Sequence, residues 1–213
     1  NQIGCLMLYY ILSGRKEQNR LPKNGAVVKS IVSTELARPI CDAFGVALFD
    51  TLTGFKFIGE KIQAFEDDGS HVFLFGFEES YGYLSGTFVR DKDGVNASML
   101  IAEAAAYYGA QGKTLCDVMA EIFQTYGYYL EHVESTTLPG IDGLKVMADT
   151  MARIRRNPPA EIGGVRVLHV KDFMAGTDTD LTTGRAEAME YPQSDVLYFA
   201  MEGGHFVCVR PSG

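Results

Sequence analysis

Glu78, Glu79 and Ser80 leave an apolar run, Val72 to Phe77, and a second polar cluster, Arg90, Asp91, Lys92 and Asp93, follows shortly after. A buried strand ordinarily ends in a plain turn, so an acid pair with a hydroxyl and then a basic-acidic quartet points to a ligand site at the strand's carboxyl end. Successive residues of an extended strand face opposite ways; if that geometry persists past Phe77, Glu78 and Ser80 share a face and Glu79 turns away. One carboxylate and one hydroxyl can then hold neighbouring hydroxyls of a polyol, while Arg90 and Lys92 suit a phosphate or a proton transfer. Thr53-Gly54-Phe55-Lys56 lies between an expected strand and an expected helix, where free backbone N–H groups and a lysine favour an anion, although a glycine at such a turn is commonplace without one. Arg210-Pro211-Ser212-Gly213 follows a strand-like run. It reads either as a frayed tail or as a phosphate grip made of a guanidinium, a hydroxyl and main-chain N–H groups.

The elements that must position these groups follow from periodicity. Ile3, Leu6, Met7, Tyr10 and Ile11 recur at helical spacing, which predicts an amphipathic helix over 2–13, stopped by Gly14 and followed by a polar linker, Arg15 to Gly25. From Ala26 the pattern alternates. AVVKSIVS is expected as a strand, Thr34 to Phe44 as a helix closed by Gly45, VALFDTL as a strand, then a helix with Phe55, Ile58, Ile62 and Phe65 on one face, then VFLFGF. Such alternation implies a mostly parallel sheet with ligands at the strands' carboxyl ends. Helices are expected over 95–108 and 114–126, the second opened by a Thr114/Asp117 capping box. Residues 128–139 read as a strand entering a linker. A helix follows, ending in RIRRNPP, where Arg153, Arg155 and Arg156 complement the helix dipole. GVRVLHVKDF, VLYFAME and HFVCVR are expected as strands. The fold class is therefore an α/β domain with a mostly parallel mixed sheet, followed by a smaller α+β domain. The divisions are 1–23 as a helix with its linker, 24–130 as the α/β domain, and 131–213 as the α+β domain.

Composition narrows the function classes. The net charge of −8 over 213 residues argues against tracking a nucleic-acid backbone, which needs a basic surface. No apolar run approaches a membrane span, and the start, NQIGCLMLYYIL, reads as the interior of a protein. Cys5, Cys41, Cys116 and Cys208 lie far apart without metal-ligand spacing and are expected as reduced, buried small hydrophobes, with cytoplasm as the default compartment. His71, His132, His169 and His205 are scattered and read as structural.

Several tempting patterns fail. GAQGKT (Gly109 to Thr114) puts Tyr107 where a phosphate loop needs its first glycine and follows a helix. Calcium loops starting at Asp91 or Asp178 lack the twelfth-position Glu, which falls on Ala102 or Met189. Glu78 and Glu79 cannot be a glycosidase pair, because adjacent strand carboxylates diverge.

FEESYG (Phe77 to Gly82) ahead of RDKDG (Arg90 to Gly94), with RPSG at Arg210 to Gly213, resembles the alpha-D-phosphohexomutases, the phosphoglucomutase and phosphomannomutase family. The family's sugar loop usually opens with Gly; Phe77 stands there, with Gly76 one place earlier. Thr53-Gly54-Phe55 is similar to a segment that contacts the sugar phosphate in that family, with Phe55 in place of a Trp or His. The resemblance covers essentially the whole chain but only part of the family's length. It implies sugar hydroxyls held by Glu78 and Ser80, with contacts from Thr53, Gly54 and Lys56, and Lys92 with Arg90 as catalytic groups. It also implies a phosphate gripped by Arg210, Ser212 and Gly213. The family's phosphoserine loop and Mg²⁺-binding D-x-D-x-D-R loop do not occur in these residues. The expectation is therefore the tail of the second, the whole third and most of the fourth family domain. This piece would recognise a sugar phosphate within an isomerase that uses Mg²⁺ bound by an upstream loop and a glucose 1,6-bisphosphate intermediate, and would be inactive alone. Its partners would be a small sugar phosphate and upstream domains of the same protein, with no nucleic acid and no membrane. Mannose or pentose phosphates remain open as substrates, as does a non-catalytic sugar-phosphate-binding protein.

Overall fold

Apolar, β-branched and aromatic runs form the three parallel strands of the first unit because their side chains fill both faces of a covered sheet. The structure is a computed structural model that describes residues 1–211. β1 (Gly25–Ser30) lies between β2 (Ala47–Thr51) and β3 (Val72–Phe77), both parallel to it, and β4 (Tyr83–Leu84) joins β3 antiparallel. α2 (Ala37–Phe44) and α3 (Phe55–Asp68) make the crossovers. α1 (Gln2–Glu17), α4 (Gly94–Gly109) and α5 (Leu115–Tyr126) complete the unit. Two apolar layers sandwich the sheet. One joins Leu8 and Leu12 of α1 with Ile40, Phe77, Leu100 and Ile122; the other joins Ala26, Val28 and Phe73 with Phe55, Ile58 and Ile62 of α3. Each fully buried side chain of this size contributes about 1.5–3 kcal/mol. The Thr114/Asp117 capping box is present at α5.

The chain divides into two units, Asn1–His132 and Val133–Gly213. The second has α6 (Gly140–Arg156), β5 (Glu161–Ile162), β6 (Val165–Asp172), β7 (Thr177–Asp180), β8 (Ala186–Ala188), β9 (Leu197–Met201) and β10 (Phe206–Val209). Its sheet is antiparallel in the order β10-β9-β6-β7-β8, with β5 paired to β6. Met151 of α6 packs with Val167, Val170, Leu197 and Phe199. Both halves of the expected fold class are present.

Several boundaries differ from expectation. The N-terminal helix runs through Gly14 to Glu17, and Cys5, Met7, Leu8 and Leu12 are fully buried in the first unit's own core. It packs as a layer of the unit that spans Asn1–His132. An apolar stripe read from sequence shows that a helix needs a partner, not which one. Residues 128–139 form no strand. β7, built from polar TDTD, and β8, a short exposed AEA, carry no apolar alternation long enough to mark a strand. Arg155 does more than complement the dipole: its guanidinium reaches Asp172 at 2.8 Å and Asp195 at 2.6 Å, which ties α6 to the strands' connections. Cys5 and Cys41 are buried, and burial pushes both thiols up to about 12, but Cys116 is exposed and Cys208 half-buried. Among the described residues none of the four is in a disulfide. Among the described residues no helix is long and apolar enough to cross a membrane.

Candidate functional site

Because β1, β2 and β3 are parallel, the residues that leave them emerge at one edge: Ser30 to Ser33 from β1, Thr51 to Gly54 from β2, and Glu78 to Gly82 from β3. The chain cannot stay extended past Phe77, since β4 returns beside β3. The Glu78 N–H donates to the Gly82 carbonyl at 2.8 Å, and Tyr81 takes a left-handed φ of 62°. This turn removes the alternation expected for Glu78 and Ser80. Glu78 is buried, 6% exposed, whereas Ser80 is exposed on the turn, so the two do not share a strand face.

Glu78 instead points to the start of α3. Gly54, at φ 115°, is the N-cap residue, and its N–H donates to Glu78 Oε1 at 2.6 Å. A helix N-terminus is an anion site, and here the anion is the protein's own carboxylate. Lys56 is exposed, with its ammonium 4.6 Å from the Phe57 ring, and the Gly54 N–H at the helix start is occupied by Glu78. Oε2 of Glu78 faces the far side. A Cβ on Gly82 would lie 3.3 Å from it, 3.2 Å from the Phe55 ring and 3.4 Å from Lys92 Cδ. Glu78, Lys92, Phe55 and Gly82 therefore converge. The Glu78 pKa is raised, chiefly by burial; the Gly54 N–H opposes that, the Glu79 charge adds to it, and Lys92 lowers it.

Lys92 is exposed, with its ammonium 3.1 Å from Asp91 and 6.0 Å from the Phe55 centroid. Asp93 accepts from the Val95 and Asn96 N–H groups, caps α4, and donates its own N–H to the Tyr83 carbonyl. The quartet thus splits its duties: Asp93 ends the loop and Lys92 faces the site. Arg90 does not join it. Its guanidinium pairs with Glu66 of α3 and donates to the Thr87 carbonyl. Its backbone carbonyl sits where a Cβ on Gly59 would come within 2.6 Å, so only glycine lets this loop lie on α3. In this structure Arg90 clamps the loop to α3.

In the second unit Arg210 is exposed immediately after β10; Ser212 and Gly213 lie outside the described residues. His71 packs edge-on against Phe49 and tilted against Phe65, and His169 meets Asp178 at 3.1 Å. No group of three or more His, Cys, Asp or Glu able to hold a metal ion is found among the described residues.

The sequence reading missed Lys29. Its side chain is fully buried, with Nζ 2.9 Å from Glu35 Oε1, 2.8 Å from Asp50 Oδ1 and 3.2 Å from the Ser33 carbonyl. Arg38 braces both carboxylates from outside, at 3.0 and 2.8 Å. A lysine inside AVVKS, paired in register with Asp50, was the available signal. Ser30 and Glu79 were also missed as partners: the Ser30 hydroxyl donates to Glu79 Oε2 at 2.8 Å.

Comparison with known proteins accords with this geometry. Residues 1–126 match the phosphoglucomutase/phosphomannomutase alpha/beta/alpha domain III. Phosphoglucomutases of Staphylococcus aureus strains MRSA252 and bovine RF122 are each 37% identical over all 213 residues, and the chain spans 37% of their length. The open form of pp63/parafusin, a phosphoglucomutase from Paramecium, superposes with a TM-score of 0.58 at 19% identity, covering 100% of this chain and 34% of that one, which supports the fold. With the family's domain matched over more than half of this chain, the chain belongs to the phosphoglucomutase/phosphomannomutase family.

Proposed function

We propose that this chain is the C-terminal part of a phosphoglucomutase-like enzyme that interconverts hexose 1-phosphate and 6-phosphate through a bisphosphate intermediate, and that it supplies sugar and phosphate recognition. The observation that carries the reading is the state of Glu78. One carboxylate oxygen is fixed by the Gly54 N–H, and the other faces Gly82 and the Lys92 stem at the carboxyl edge of a parallel sheet. A carboxylate fixed through one oxygen can accept sugar hydroxyls through the other without reorganising, which is what favours binding in a set orientation.

In this reading Glu78 and Ser80 take sugar hydroxyls and the backbone at Thr53 and Gly54 lines the site, with Lys56 at its rim. Lys92 neutralises or moves a proton at the reacting phosphate's side. The second unit serves as the family's fourth domain, with Arg210, Ser212 and Gly213 holding the phosphate that does not react. Mg²⁺ supplies charge stabilisation to phosphoryl transfer in this family. The described residues offer no ligand set for it. Glucose is the preferred sugar on the strength of the relatives' names. The whole protein works in the cytoplasm.

The test is a coupled assay with glucose 1-phosphate, bisphosphate and Mg²⁺. The complete protein turns over, and Glu78→Ala lowers kcat/KM by about 10- to 100-fold, the order of a lost hydrogen bond to a charged group. The chain alone shows no turnover, because binding loops orient but do not provide the group transferred. Full activity in Glu78→Ala overturns the reading.

A further inference from the structure

Glu79 adjoins the proposed sugar ligand, yet its carboxylate turns the other way, onto β1. The Ser30 hydroxyl donates its one proton to Glu79 Oε2 at 2.8 Å, so the Ser33 hydroxyl, 2.8 Å from Ser30 Oγ, must donate in turn to Ser30. Ser30 and Ser33 are both fully buried, which makes the anchor end of this chain rigid and dry. The loop it holds is not self-sustaining. Tyr81, 78% exposed, sits at φ 62°, a conformation that disfavours a bulky side chain. Among the described residues, apart from the hairpin bond between Glu78 and Gly82, the loop's long-range hydrogen bonds are Gly54 N–H to Glu78 and Ser30 to Glu79. The first is made by the group that must meet the ligand.

We propose that Glu79 is a positioning residue: by clasping Ser30 it fixes the strained turn and so aims Glu78 at the sugar. This deepens, and rests on, the reading of Glu78 as the sugar ligand.

Two measurements separate the proposal from that reading. In this chain, hydrogen exchange at the Gly54 amide reports whether Glu78 stays on the helix N-terminus, with no appeal to enzyme activity. Glu79→Ala and Ser30→Ala each speed that exchange about 10- to 100-fold, as loss of one charge-assisted hydrogen bond allows, while the β3 amides keep wild-type protection. Glu79→Gln, whose amide oxygen can still accept from Ser30, restores most of the protection. In the complete protein, Glu79→Ala raises KM for the sugar phosphate more than it lowers kcat, and adding Ser30→Ala costs little more, because both changes break one link. Unchanged Gly54 exchange in Glu79→Ala overturns the clasp. Full activity in a Glu78→Ala control overturns the sugar-site reading while leaving the exchange result to judge the clasp. Additive kinetic effects of Glu79→Ala and Ser30→Ala also overturn the proposal.

Discussion

Lys29 and Lys92 stand at the same carboxyl edge of one sheet and lead opposite lives. Lys29 has no exposed side-chain surface and spends its ammonium on Glu35, Asp50 and the Ser33 carbonyl. Lys92 is 56% exposed and, among the described residues, forms its ion pair with the neighbouring Asp91, itself 71% exposed. A buried charge must be paired by the protein because water is gone, so its partners are fixed at folding. A solvated charge is left for whatever arrives. Lys29 therefore holds the edge together, and Lys92 faces outward from it.

The largest effect that would break this contrast is at Lys29. Lys29→Ala leaves Glu35 and Asp50 without their inner cation and lowers unfolding free energy by about 3–5 kcal/mol, read from the urea midpoint. A loss under about 1 kcal/mol means that Arg38 alone sustains the network and that Lys29 is not the structural member of the pair.

Lys92→Ala is the mirror experiment. In the complete protein it lowers kcat/KM by about 1.5–3 kcal/mol while stability stays within about 0.5 kcal/mol. A stability loss as large as that of Lys29→Ala erases the distinction.

Glu78 sharpens it from the acidic side. Its folded pKa is raised, chiefly by burial, so the folded state binds the proton more tightly than the unfolded chain. Stability from this group is full below its unfolded pKa and lost as pH rises through the folded value. Glu78→Gln keeps an acceptor for Gly54 and removes the buried charge. Its Tm should exceed wild type near pH 7, and the gain should vanish below about pH 4, where the wild-type carboxyl is protonated in both states. A gain that persists in acid assigns the effect to packing.

Arg90 gives the smallest effect. Its pair with Glu66 is more than a third exposed on both sides, so Glu66→Gln changes stability by about 0–1 kcal/mol, less than any change at Lys29. Measured in the complete protein, it lowers activity only through the placement of Lys92. A kcat loss equal to that of Lys92→Ala would instead return Arg90 to the chemistry.

Much of this was legible in the residues. The βαβ alternation from Ala26 to Phe77 and the apolar face Phe55, Ile58, Ile62, Phe65 follow from periods that side-chain burial imposes locally. So does the gathering of Glu78 and Lys92 near one turn. The Thr114/Asp117 cap was legible because it is made within four residues. What the sequence left open is long-range. The amphipathic face of α1 was plain, but its partner was settled only when Leu8 and Leu12 met the first unit's core. Glu78 and Glu79 were ranked by strand phasing, yet β4 folds back on β3 and turns one carboxylate to Gly54, 24 residues away, and the other to Ser30, 49 residues away. Arg90 was grouped with Lys92 by adjacency and was drawn off by Glu66. The sequence by itself determined which elements form and where polar groups cluster, because those depend on neighbours along the chain. Only the tertiary structure decided which polar group pairs with which, because each buried charge takes the partner that folding places within hydrogen-bond reach, whatever the distance in sequence.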